Sequence, residues 1–254
     1  DVFDLEWRLK GQGALIAART GLSPKAVQSM TFRELGAAAR MMIARKNRSP
    51  CRHCPEDVHR KAAALPWRFR CPVHGVEFRD ATGETLSDRF GTDCFKKLEG
   101  HAEVGAAHLD AWARSAGQGD LEAPEVLQLL TVRHRRASPP NVCEQPRMSL
   151  KDRRDYHDFL TTPIIRQALT VVVPEYDQVA PVLAKPVRPG LHALAQGSLL
   201  QCFALAVGAG RIIEDPVKWA ISVMLMSDAE AQGRVRQAID AWPLSLRRSI
   251  SARF

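Results

Sequence analysis

The chain has 254 residues, 45% hydrophobic and 25% charged, ordinary globular values that exclude a mostly disordered protein. Lys and Arg number 36 against 28 Asp and Glu, a net charge of +8, and the basic residues are grouped rather than spread. Of six Cys, three are clustered and three scattered, which excludes the disulfide framework of a small secreted domain.

In chain order, Asp1 stands where an initiating Met would, which suggests a processed or trimmed fragment, and no signal peptide is visible. Segment 13–30 reads as two helices. Ala14, Leu15, Ala17 and Ala18 recur on one face, Gly21 breaks the pattern, and Ser23-Pro24 supplies a cap and an N1 proline for the next helix. Ala17, Gly21 and Val27 also fit the small–glycine–aliphatic spacing of a helix-turn-helix. In a DNA reader of that kind Ser23, Lys25, Gln28 and Ser29 would lie on or near the exposed face of the second helix. Any small helical hairpin satisfies the same three positions. Thr31 and Glu34 form a capping box that predicts a third helix, opening at Thr31 and running through Leu35 to about Ala44.

Residues 49–80 are dense in Cys, His, Pro and Trp. Cys51-Arg-His-Cys54 is followed, after sixteen residues, by Cys71-Pro-Val-His74-Gly75. Two pairs, each separated by two residues, let tight turns aim four ligands at one point, as a tetrahedral zinc ion requires. Three thiolates and an imidazole close the coordination sphere, so the expected ion is structural, one per chain. His53 and His59 are possible substitute ligands. Pro50-Cys51-Arg-His-Cys54 matches half of a zinc deaminase signature, but no His or Cys precedes it to complete the set. No metalloprotease helix, serine elbow or phosphate-cradling loop is present, so the chain is not expected to be an enzyme.

Residues 84–116 and 121–134 read as helical. Segment 137–149, with Ser138-Pro139-Pro140-Asn141, reads as a linker. Residues 150–170 again read as helix, interrupted near 161–163. Prolines 174, 181, 186 and 189 then punctuate a non-helical connector, and 191–208 and 215–253 are helical with a break at Trp242-Pro243. The charge-free stretch from Pro189 to Gly210 is long enough to span a bilayer. Its glycines, glutamines and His192 suit a buried helix or helix pair better, so a soluble cytoplasmic protein without membrane contact is expected.

Charge alternates along the chain. Residues 45–70 carry eight bases against two acids, 76–125 eleven acids against five bases, and 133–154 seven bases against two acids. Three solvated helical faces would give this pattern. So would two basic surfaces for phosphate contact separated by an acidic one for a protein partner. On the second view Arg45, Arg48, Arg68 and Arg70 flank the metal module and Arg133, Arg135 and Arg136 precede the linker, and all seven are nucleic-acid-binding candidates beside Lys25 and Gln28.

The fold class is therefore mainly α. It comprises a helical, helix-turn-helix-like segment (1–48), a small zinc-finger module (49–100), a helical segment (101–136), the linker (137–149) and a helical C-terminal domain (150–254). The order of a helical lead with Gly21-Leu22-Ser23, then Cys51-x-x-Cys54, Leu65-Pro66-Trp67 and Cys71-Pro72-Val73-His74-Gly75 resembles the N-terminal zinc-containing domain of the TniQ/TnsD family of transposon targeting proteins. The resemblance covers roughly residues 5–90. A second Cys-x-x-Cys usual after the His-Gly is reduced here to Cys94, so a second metal is either lost or completed by His101, His108 or a more distant residue. What the resemblance implies is a non-catalytic adaptor that recognises a target site, by binding DNA or a guide complex, and recruits the transposon's AAA+ ATPase. Two other readings stand beside it: a zinc-containing helix-turn-helix regulator of a mobile element, and a zinc-stapled helical scaffold for protein partners.

Overall fold

The computed structural model describes residues 12–29, 31–43, 51–54, 61–116, 120–136, 164–179 and 189–254. The protein is mainly helical. Residues 12–20 (α1) and Pro24–Ser29 (α2) form a hairpin about Gly21, whose φ of 67° suits only glycine without strain. Ser23 caps α2 by accepting the Ala26 N–H at 3.1 Å. Ala17 and Val27 are buried against each other with Ile16, in a small cluster separate from the main core.

The third helix differs from expectation. Thr31 is buried in a turn, and its hydroxyl accepts the Arg33 N–H instead of opening a helix. Glu34 turns to Lys61 and Arg114 instead of back to the cap. The helix (α3) spans Ala37–Met41 and starts at Gly36 without a side-chain cap. After it come a short turn of helix, Lys61–Ala64 (α4), and a tight antiparallel hairpin. In that hairpin Phe78 N–H bonds Phe69 C=O and Cys71 N–H bonds Val76 C=O, both at 2.8 Å.

Thr85 and Asp88 make a reciprocal capping box for Leu86–Phe90 (α5). The long helix Thr92–Ala113 (α6) follows, and it runs unbroken across the expected boundary between residues 100 and 101. Ala123–Leu130 (α7) begins with the Glu122 N–H bonded to the Glu125 carboxylate. The expected helix over 121–134 ends there, because Arg133–Arg136 is a strand (β1). It pairs antiparallel with Ile164–Gln167 (β2), in register Arg133 opposite Gln167 and His134 opposite Arg166. Residues 164–167 are thus strand, not the tail of a helix. Leu169–Val172 (α8) and Pro174–Val179 (α9) come next, so Pro174 starts a helix within the expected connector, as an N1 proline can.

The charge-free stretch forms a helix pair, one of the two arrangements its composition suited: Leu191–Gln196 (α10) and Leu199–Glu214 (α11) meet at Gly197-Ser198. Every residue from Leu199 to Gly210 is buried, so the stretch is apolar because it is the protein's central helix. No described helix is long and apolar enough to cross a membrane. Pro216–Leu225 (α12), Ala229–Ile239 (α13) and Leu244–Ser251 (α14) complete the chain, the first two capped by Asp215 and Asp228.

α6 and α11 are the principal pair. They approach backbone to backbone where Gly105 meets Ala206 and Gly210, and where Gly210 meets the His101 carbonyl. One continuous core extends from Phe32 through the Cys-rich hairpin to Ile250. Phe203 of α11 sits at its junction, ring to ring with Phe69 of the hairpin (5.2 Å), Phe90 (5.6 Å) and Phe95 (5.3 Å). The Cys-rich module therefore grows out of the helical core and does not stand apart from it.

Candidate metal centre

Two turns converge at the end of the hairpin. The turn Cys51–Cys54 is closed by the Cys54 N–H on the Cys51 carbonyl at 2.9 Å. The turn Cys71–His74 is closed by the Gly75 N–H on the Cys71 carbonyl at 2.8 Å, with Gly75 at φ 64° letting the chain leave directly after the ligand. The side chains of Cys51, Cys54, Cys71 and His74 then bring their ligand atoms within 4.8 Å of one another, and the three sulfurs are buried.

Four distances within the group match the edges of a tetrahedral site. His74 Nδ1 lies 3.5 Å from Cys51 Sγ, 3.5 Å from Cys54 Sγ and 3.7 Å from Cys71 Sγ, and the Cys54 and Cys71 sulfurs are 3.8 Å apart. An ion with bonds of ~2.3 Å to sulfur and ~2.0–2.1 Å to nitrogen needs edges of about 3.8 Å between sulfurs and about 3.6 Å from sulfur to nitrogen. The four atoms stand where the corners of such a site belong. Burial opposes ionisation of Cys71, but the backbone N–H groups of His74 and Val73, with contacts from the His74 and Cys54 side chains, outweigh it and hold the thiol at about 6. Those amides supply the outer hydrogen bonds that steady a metal thiolate.

The expected ligands are the ones brought together. His53 is exposed, accepts from Arg52 Nε at 3.2 Å, and meets the His74 ring at 5.7 Å without joining the group. His59 lies outside the described residues. Around Cys94 no second group of three or more possible ligands gathers among the described residues. His101 is paired with Glu214 at 3.0 Å, and burial, then the Glu175 charge, push the Cys94 thiol up.

Trp67, part of the same core as the three cysteines, is fully buried and donates its indole N–H to Asp110 of α6 at 3.0 Å. Asp110 also faces Arg68 at 3.3 Å and Arg114 at 3.0 Å, and Arg114 reaches Glu34, which Lys61 also pairs. Burial works against ionisation of Asp110. The Trp67, Arg114 and Arg68 partners overcome it and hold the carboxyl below its ordinary value. Arg70 meets Glu99 at 2.5 Å and the Gly75 carbonyl at 3.0 Å, and lies over the Phe95 ring at 5.4 Å. The spacing of Cys and His gave no hint of Asp110 or Glu99, because their pairing depends on how α6 crosses the hairpin.

Those nucleic-acid candidates that fall among the described residues are carried by separate elements. Lys25 is exposed on α2, which also carries Gln28, whose side chain lies outside the described residues, as do Arg45 and Arg48. Arg68 and Arg70 are engaged with Asp110, Glu99 and Glu77, so acids of the 76–125 segment fold back on the bases of the module. Arg133, Arg135 and Arg136 fall on β1, with Arg166 on its partner strand. The Arg166 position was obscured by reading 150–170 as helix. Set against family models, curated proteins and solved structures, the chain has no match.

Proposed function

We propose that this chain is a cytoplasmic, non-catalytic adaptor of the TniQ kind. In this reading it holds one structural zinc ion, engages DNA or a nucleoprotein complex during target-site selection for transposition, and recruits a AAA+ ATPase. The observation that supports the reading is the gathering of Cys51, Cys54, Cys71 and His74 into one ligand set, on the motif that carries the resemblance, with Trp67 buried in the same core. Zinc is the ion whose chemistry suits three thiolates and an imidazole at these edges. With four protein ligands it keeps no position for water or substrate, so its part is to fix the module on α6, and the chain acts by binding.

The α1–α2 hairpin supports the nucleic-acid half of the reading through its Gly21 turn and the exposed Lys25. The engagement of Arg68 and Arg70 within the molecule favours the scaffold reading for the face around the metal module, where protein contacts would replace phosphate contacts. Reconstitution tests the proposal. The full zinc-loaded chain, mixed with duplex DNA and the AAA+ ATPase encoded nearest its gene, should form a complex containing all three. A chain that binds the ATPase but no nucleic acid would be a scaffold. A symmetric dimer on a palindrome with no ATPase would be a regulator.

A further inference from the structure

We infer that the exposed arginines of the last two helices, Arg236 on α13 with Arg248 on α14 and Arg253 just beyond it, form the surface through which this chain meets the phosphates of a DNA duplex. The inference rests on the nucleic-acid half of the function proposed above and assigns it a place. From Ala231 to Phe254 the chain carries five arginines, no lysine and a single acid, Asp240. Arg234 is already engaged, since it pairs with Glu230 at 2.7 Å and donates to the Arg133 carbonyl at 2.8 Å. Arg236, Arg247, Arg248 and Arg253 meet no carboxylate among the described residues, Asp240 included. Elsewhere in the molecule Arg68, Arg70, Arg89, Arg114 and Arg211 each have a carboxylate partner.

Backbone bonds and one ring contact place these side chains. Helical bonds run past the last turn of α14, from the Ala252 N–H to the Arg248 carbonyl and from the Phe254 N–H to the Ile250 carbonyl, both at 3.0 Å. Phe254 therefore stands two turns on from Arg247, on the same side of the helix. Its half-exposed ring meets the Arg236 guanidinium at 6.0 Å, which brings the unpaired arginine of α13 to the end of α14. Arg236, Arg248 and Arg253 are exposed, while Arg247 is half-buried with its Nε–H unpartnered. Cations gathered with so little opposing charge raise the local potential and draw anions. Guanidinium forks suit bidentate contact with phosphate oxygens, and a duplex offers a phosphate about every 3.4 Å along each strand, so several forks can engage at once. An anionic membrane would need a free apolar face on the same helix, but Ile250 is buried and Leu246 packs on the core.

Fluorescence anisotropy with a labelled mixed-sequence DNA duplex tests this on the full zinc-loaded chain. The double variant Arg248→Gln/Arg253→Gln should bind about tenfold or more weakly and lower the slope of log affinity against log salt by about 2, one for each lost phosphate contact. Arg89→Gln should stay within about twofold of the unaltered chain, since Asp80 and Glu84 already hold that charge. Should the Gln pair fail to fold by circular dichroism, Arg248→Lys/Arg253→Lys decides the matter. Charge is kept and the fork is lost, so affinity should fall at an unchanged salt slope, and undiminished affinity would overturn the proposal. DNA binding that survives the changes at 248 and 253, or that is lost with Lys25→Gln instead, would overturn the C-terminal surface and leave the adaptor reading in place. Displacement of the duplex by polyglutamate at equal charge would do the same, because the surface would then take carboxylates as readily as phosphates. An unaltered chain that binds no DNA would overturn both the surface and the DNA half of that reading.

Discussion

At the scale of single residues, the decisive contrast is between His74 and its neighbour His53. Both are exposed histidines near the same sulfurs, yet only His74 presents a ring nitrogen at 3.5–3.7 Å from all three. Cys54→Ser should therefore abolish stoichiometric metal binding, whereas His53→Ala should leave about one zinc per chain, since four ligands saturate the ion. Elemental analysis of the purified proteins reads this directly, and metal loss in the His53→Ala protein would place the fourth ligand wrongly. The ligand set was legible in the sequence because two-residue gaps constrain local turns whatever surrounds them. Which imidazole nitrogen points inward was not legible. Nor was the Trp67–Asp110 bond, which joins residues 43 apart and exists only because α6 passes under the hairpin.

Elements meet most closely where α6 crosses α11. A Cβ on Gly105 would collide with the Ala206 carbonyl, and one on Gly210 with the His101 carbonyl, so neither helix can yield by turning a flexible side chain aside. Gly100, on the same helix, has nothing within 4 Å of such an atom. Gly100→Ala should accordingly stabilise the protein by ~0.5–1 kcal/mol through helix propensity. Gly105→Ala should destabilise it by about 2 kcal/mol or more, the cost of overpacking exceeding the same propensity gain. Chemical denaturation of the two variants measures the difference, and equal midpoints would mean that the helices are not in backbone contact. Helical character was readable over 191–208 and 215–253, with the break at Trp242-Pro243, but the divisions at Gly197-Ser198 and before the Asp228 cap were not. The signal failed for 133–136 and 164–167, where four-residue strands of Arg and Ile lack the length to show alternation. It failed again at Thr31, where a matching Thr-x-x-Glu served a buried turn and an ion pair with Arg114.

For the whole molecule, the metal module and the helices share one core, and this determines what metal removal does. Phe69 of the hairpin packs edge-on against Phe203, itself stacked with Phe95, and Trp67 is bonded to Asp110. α11, which bears Phe203, is buried over its first twelve residues against α6 and α7. A module that folds only around its ion would, on losing it, withdraw Trp67 and Phe69 from that core and leave the Asp110 carboxylate half-buried with one fewer partner. Binding to the folded state alone stabilises by RT ln(1 + [metal]/Kd), about 4 kcal/mol at a thousandfold excess over Kd, and here that energy reaches the helices through the shared aromatic junction. Chelation should then lower the midpoint of a single helical melting transition followed by circular dichroism, and move Trp fluorescence towards that of exposed indole. Re-adding zinc should restore both signals together. If the chelated chain instead kept its helical midpoint while only the fluorescence changed, the module would be an appendage, and the continuity of packing from Trp67 to α11 would carry no energetic coupling.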